Sequence, residues 1–323
     1  MVEENDVNIN MIRAAAERAK GHVRVTPLLS SPGLDALAGR QILVKAEALQ
    51  VTGSFKARGG WAAVSALVPD VRRSGVIAFS SGNHAQGVAF AARAFEVPAV
   101  IIMPNDAPLA KINGTKALGA EVILYDRMTE DRDAIGLALS KARNLTLIRP
   151  YDDPEVIAGQ GTCGLEIAVQ AGDLTADVLV CCGGGGLTSG IALALEADAP
   201  GLRVRPVEPV DFDDVSRSLA AGQIVRNPRL TGSICDAILT PQPGNLTFPI
   251  MKKLCGPGVL VTDEQCLRAM AVAFRELKIV LEPGGAVALA AALYQGGTGP
   301  VIVVASGGNV DPAMFRRALE LAD

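Results

Sequence analysis

Asp177-Val-Leu-Val-Cys-Cys-Gly-Gly-Gly-Gly-Leu187 holds a short apolar run, four consecutive glycines, and the start of a helical segment reaching Ala197. An apolar run without alternation reads as a strand buried on both faces, the strand of a parallel sheet covered by helices. Four glycines exceed what a strand-to-helix turn needs. They let the backbone approach an anion closely, and the free N–H groups at the helix start, aided by its dipole, suit a phosphate. The spacing is not the dinucleotide fingerprint. After Gly183 and Gly185 the third glycine position is Thr188, and after Gly184 and Gly186 it is Ser189. No Gly-Lys-Ser/Thr follows, so a nucleotide P-loop is not expected.

The same alternation extends outward in both directions. Strands are expected at 75–79, 97–103, 120–125, 202–207 and 300–305, with helices at 87–95, 107–118 and 131–143 between them. The fold class expected is α/β, with parallel sheets covered by helices. Residues 73–147 carry their own β-α-β-α-β-α pattern and read as a smaller inserted domain. Residues 1–72 and 148–323 would form the larger one. A site would lie between them, beyond the carboxyl ends of the strands. The irregular stretch 227–249 should wrap the surface or line that site.

Composition narrows the class. Of 323 residues 49% are hydrophobic but only 4% aromatic, which suits close helix-on-sheet packing. A net charge of −4 offers no basic field for nucleic acid or an anionic membrane. No apolar run approaches the ~18 residues of a membrane span, and the acidic start is unlike a secretory signal. A cytoplasmic location is expected. The six cysteines contain no C-x-x-C pair and there are two histidines, so a zinc site is not expected.

Three further segments carry chemistry. Lys56 follows Thr52-Gly53-Ser54-Phe55 at an expected helix start, where the helix dipole would depress its pKa and favour an imine. A lysine imine and a phosphate-binding glycine loop together suit pyridoxal phosphate (PLP). Phe79-Ser-Ser-Gly-Asn-His-Ala-Gln-Gly87 is a strand end, a polar turn and a helix start, able to cradle a carboxylate. Ala305-Ser-Gly-Gly-Asn309 ends another strand, and its serine hydroxyl could hold a ring nitrogen.

In order along the chain stand Ser-Phe-Lys-Ala-Arg-Gly (54–59), Ser-Ser-Gly-Asn-His-Ala-Gln-Gly (80–87), Ala-Gly-Gln-Gly-Thr (158–162), Gly-Gly-Gly-Gly-Leu (183–187), Glu-Pro (282–283) and Ser-Gly-Gly-Asn-Val-Asp (306–311). This set resembles the fold-type II (tryptophan synthase beta-like) PLP enzymes, in the group of serine racemase, threonine dehydratase and hydroxyaspartate dehydratase. The resemblance implies that Lys56 holds PLP and is the base at Cα, with Phe55 on the ring. It places Asn83, Gly183, Gly184, Gly185, Gly186, Leu187, Glu282 and Ser306 around the cofactor. Ser81 would be the acid/base on the opposite ring face. Ser80, Ser81, Asn83 and His84 would line the substrate carboxylate pocket. A homodimer acting on a small amino acid is implied.

Glu208-Pro-Val-Asp-Phe-Asp-Asp214 matches that family's divalent-ion turn. Its ligands would be the Glu208 and Asp214 carboxylates and the Phe212 carbonyl, hard oxygens suited to Mg²⁺, with Ca²⁺ or Mn²⁺ as alternatives. An acidic surface loop would read the same way. Arg132 aligns with an arginine of the racemase and hydroxyaspartate members and could pair with a second carboxylate. A solvated helix arginine is the alternative. The expected reaction is loss of water and ammonia from a β-hydroxy amino acid, 3-hydroxyaspartate ahead of L-threonine or L-serine, with racemisation as the other outcome.

Overall fold

Ten strands form in the computed structural model, which describes residues 7–80, 82–107, 109–126 and 128–321. They are β1 (Leu28–Leu29), β2 (Ile42–Lys45), β3 (Val76–Phe79), β4 (Ala99–Pro104), β5 (Glu121–Tyr125), β6 (Thr146–Leu147), β7 (Ala176–Cys181), β8 (Leu202–Pro209), β9 (Val259–Val261) and β10 (Val301–Val304). Six make one sheet in the order β1-β2-β10-β7-β8-β9, and four make another in the order β5-β4-β3-β6. Every pairing is parallel except that of β1 with β2, which places an antiparallel edge on the larger sheet.

The apolar runs are buried as their lack of alternation requires. All four residues of β3 and β10 are buried, as are all six of β4. The larger sheet packs Val44, Val178, Val204 and Val303 against Ile191 and Leu289 of flanking helices. The core of the smaller sheet joins Ala78 and Ile101 to Val88 and Ala92. It also draws in Trp61 and Val64, from the helix Lys56–Ala66.

That helix is held at two levels. It crosses the helix Asn83–Ala94 so closely that a Cβ on Gly60 would lie 2.4 Å from the Gly87 carbonyl carbon. On its other side Gly159, in the helix Pro154–Ala171, sits against the Arg58 carbonyl, where a Cβ would meet the oxygen at 2.6 Å. The Ala-Gly-Gln-Gly-Thr motif is thus a helix-packing element. Below these contacts lies a buried ion network. Arg58 Nε and Nη2 donate to Glu47 at 2.7 Å each, and Nη1 donates to Glu166 at 2.6 Å. Lys45 Nζ donates to Glu166 at 2.5 Å. The fork of Arg58 satisfies both carboxylates at once, the arrangement a buried charge needs.

Candidate active site

The helix starts and strand ends converge on a cleft of about 240 Å³. Its walls include Phe55, Lys56, Ser80, Asn83, His84, Arg132, Gly183 to Leu187, Glu282 and Ser306. Residues far apart in sequence therefore meet in one place. Ser81 lies outside the described residues. Glu208, Phe212 and Asp214 are not part of this cleft and lie where β8 ends and the helix Asp214–Ala221 begins.

Lys56 is the first residue of its helix, as expected, and its Nζ donates to the Pro150 carbonyl at 2.5 Å. Desolvation pushes its pKa from an ordinary 10.5 down to about 8. The cause differs from the helix-dipole expectation, because withdrawal from water dominates. The Phe55 ring centroid is 5.2 Å from Nζ.

The glycine loop admits no side chain. A Cβ on Gly184 would meet the Tyr151 ring at 2.2 Å, and Gly185, at φ +91°, would meet Met251 at 2.5 Å. The Thr247 hydroxyl donates to the Gly184 carbonyl at 2.6 Å and fixes the loop from behind. Gly185 caps the helix Gly186–Asp198, whose first-turn N–H groups lack intrahelical partners by geometry.

On the opposite wall Asn83 opens its helix. Its Nδ2 donates to Glu282 Oε1 at 2.5 Å, and its Oδ1 accepts from Asn309 Nδ2 at 2.7 Å. Burial raises the Glu282 carboxyl to about 7. The Ser80 hydroxyl accepts from the Gly82 N–H at 3.1 Å. His84 is buried and held to about pKa 3, first by desolvation and then by the Lys56 charge, so its ring is neutral. Nε2 lies 3.1 Å from the Ile148 carbonyl and must donate to it. Nδ1 then presents a lone pair, and it has no partner among the described residues. Ser306 is buried, and burial pushes the nearby Cys181 thiol up to about 11.

Arg132 begins the helix Arg132–Arg143 and reaches the cleft, with its guanidinium carbon 5.8 Å from the Phe79 ring centroid.

The model of the pyridoxal-phosphate dependent enzyme family matches residues 19–307. The chain belongs to that family. It is 44% identical over 309 residues to an L-threo-3-hydroxyaspartate ammonia-lyase of Pseudomonas sp, covering 95% of this chain and 96% of that one. The solved threonine deaminase of T.th. superposes with a TM-score of 0.88 at 42% identity, covering 94% of this chain and 99% of that one. Maize serine racemase gives 0.91 at 35% identity, covering 97% of each. The α/β fold with parallel sheets is that of the fold-type II PLP enzymes, as the sequence implied.

The cleft of this PLP-dependent enzyme fits the cofactor. The side-chain-free loop at a helix start is an anion cradle. An enclosed amine with a depressed pKa faces it. Lys111, Tyr151 and Asp236 also line the cleft, and Lys111 Nζ lies 3.3 Å from Asp236 Oδ2. Sequence reading missed these three residues. Only the expectation that 227–249 borders the site pointed toward Asp236.

At the acidic turn Glu208 Oε1 accepts from the Val215 N–H at 2.8 Å. Oε2 accepts from the Ser216 N–H at 2.7 Å and the Ser216 hydroxyl at 2.6 Å. Asp214 Oδ1 accepts from Asn227 at 2.5 Å, while Oδ2 is buried without a partner among the described residues. Desolvation raises Glu208 to about 8 and Asp214 to about 7. No group of three or more His, Cys, Asp or Glu side chains converges as a metal site among the described residues. Two adjoining buried carboxylates with one orphaned oxygen nevertheless fit a hard cation completed by carbonyl and water oxygens.

No helix among the described residues is long and apolar enough to cross a membrane.

Proposed function

We propose that this chain is an ammonia-lyase for 3-hydroxyaspartate, converting it to iminosuccinate and hence to oxaloacetate and ammonia. L-threonine and L-serine would be poorer substrates. The observation that carries the reading is Arg132 at the wall of the cleft that holds Lys56. A guanidinium pairs with a carboxylate through two parallel hydrogen bonds, and among these substrates only hydroxyaspartate offers a second carboxylate. The likeness to the Pseudomonas lyase supports it.

When bound, PLP supplies an electron sink for the pair left at Cα as its proton departs. Phe55, Asn83, Glu282 and Ser306 would surround its ring, while Gly183 to Gly186 and Leu187 would bind its phosphate. A neutral hydroxyl at Ser306, in place of a carboxylate, would not enforce a protonated ring nitrogen, which would weaken the sink and favour prompt loss of the β-leaving group. Lys56 Nζ takes the Cα proton, and an amine of pKa about 8 is well placed for this near neutral pH. Ser80, Ser81 and Asn83 would receive the α-carboxylate. His84 Nδ1, as an acceptor, would take a donated hydrogen from the substrate. The β-hydroxyl leaves with a proton as water, and hydrolysis of the released enamine yields keto acid and ammonia.

Mg²⁺ is the cation proposed at Glu208, Phe212 and Asp214, with Ca²⁺ or Mn²⁺ as alternatives. A cytoplasmic homodimer is proposed as the working form. The second reading is a racemase using Lys56 and Ser81 on opposite ring faces, favoured by the likeness to serine racemase.

Purified protein incubated with PLP should show the visible absorbance of a lysine-bound cofactor and release ammonia from a β-hydroxy amino acid. Lys56→Ala should lose both. An unchanged absorbance band in that variant would overturn the assignment of Lys56.

A further inference from the structure

A second cleft, of about 530 Å³, opens at the other end of the larger sheet. It is lined at the amino-terminal ends of β7, β8, β9 and β10 by Ala176, Arg203, Val259 and Val301. The catalytic cleft lies at the carboxyl ends. The six residues of β7 separate the two by about 20 Å.

Three arginines line this cleft, Arg40, Arg203 and Arg205, and Asp177 is the one acidic side chain lining it among the described residues. Asp177 Oδ2 accepts from Arg205 Nη1 at 3.1 Å, and Arg205 Nε donates to the Pro257 carbonyl at 3.0 Å. Arg40 Nη2 donates to the Ala292 carbonyl at 2.9 Å. Each guanidinium carries five N–H donors, so these bonds leave most unused. Arg203 donates to no acceptor among the described residues. Arg40 is partly withdrawn from water, which disfavours its charged form; the Asp177 carboxylate opposes that effect, and the Arg205 charge adds to it more weakly. Like charges gathered in one cavity cost free energy unless an anion joins them. The loop Gly296–Gly299 is shaped to the first arginine. Gly297 stands at φ +128°, and a Cβ there would strike Arg40 Nη1 at 2.2 Å.

We propose that this cleft binds a phosphate-bearing small molecule, with Arg40, Arg203 and Arg205 closing on the phosphate. Guanidinium forks match phosphate oxygens in pairs, and the volume falls in the range of small-molecule sites, with room for more than the phosphate alone.

The test uses the PLP-loaded enzyme, inorganic phosphate as probe, and ionic strength held constant with chloride. Binding is followed by titration calorimetry while the cofactor absorbance is monitored. One saturable site per chain is expected, with the absorbance unchanged. Arg203 is exposed, so its variants should fold. Arg203→Gln should weaken binding at least tenfold, and Arg203→Lys, which keeps the charge but loses the fork, should fall between. The absence of saturable binding would overturn the proposal. So would Arg203→Gln binding as tightly as the parent, or phosphate displacing the cofactor with an affinity that Arg203→Gln does not alter.

Discussion

Gly60 and Gly87 press the lysine-bearing helix against the helix of the Asn83–His84 turn, backbone on backbone, with 2.4 Å between an imagined Gly60 Cβ and the Gly87 carbonyl carbon. In an exposed helix, Gly→Ala stabilises by up to ~1 kcal/mol. Here Gly60→Ala or Gly87→Ala should instead destabilise by roughly 1–3 kcal/mol, because the helices must part. They should also weaken cofactor capture, since parting moves Lys56 away from Asn83. Denaturant midpoints measure the first effect and PLP titration the second. An unchanged or raised midpoint would contradict the close crossing.

Arg58 lies two residues from Lys56 and is almost wholly buried. Arg58→Leu strands the buried Glu47 without its cation, leaves Glu166 with Lys45 alone, and should cost about 3–5 kcal/mol. Arg58→Lys restores charge but not the fork, and should recover only part of that loss. A loss below about 1 kcal/mol in urea unfolding of Arg58→Leu would show that the network does not anchor the helix.

The Lys56 amine has a folded pKa of about 8 against an ordinary 10.5. Between those values the unfolded chain binds more protons, so stability of the cofactor-free protein should rise with pH through that window. Below pH 8 the cost of the enclosed charge is fully present. Lys56→Met should flatten this slope. Unfolding free energies at pH 7, 9 and 10.5 give the comparison, and equal slopes in the two proteins would refute it.

A cation bound only by the folded chain stabilises by mass action, about 2.7 kcal/mol at a hundredfold excess over Kd. Chelator should therefore lower the unfolding temperature, with Mg²⁺ restoring it. Asp214→Asn should be insensitive to both. A parent protein indifferent to chelator would remove the cation from the acidic turn.

Much of the fold was legible because the central strands are continuous apolar runs between helical segments, as in 177–182 and 97–103. The two-residue strands β1 and β6 were not, since so short an element exists only through its partner strand. The cleft-lining residues came from strand-to-helix junctions, where local pattern and chemistry coincide. Lys111, Tyr151 and Asp236 gave no such sign, because their place is set by tertiary contacts across the cleft. The use of Gly60, Gly87 and Gly159 as packing surfaces was hidden for the same reason.

The central claim turns on the substrate's second carboxylate. Initial rates of ammonia and keto acid formation should be compared for L-serine, L-threonine and the 3-hydroxyaspartate stereoisomers, with PLP and Mg²⁺, in the parent and Arg132→Ala. The expected result is preferential turnover of one hydroxyaspartate isomer, with a loss of roughly 2–5 kcal/mol in kcat/KM for that substrate alone on removing Arg132. Turnover of threonine or serine in preference, or equal losses on all substrates in Arg132→Ala, would contradict it.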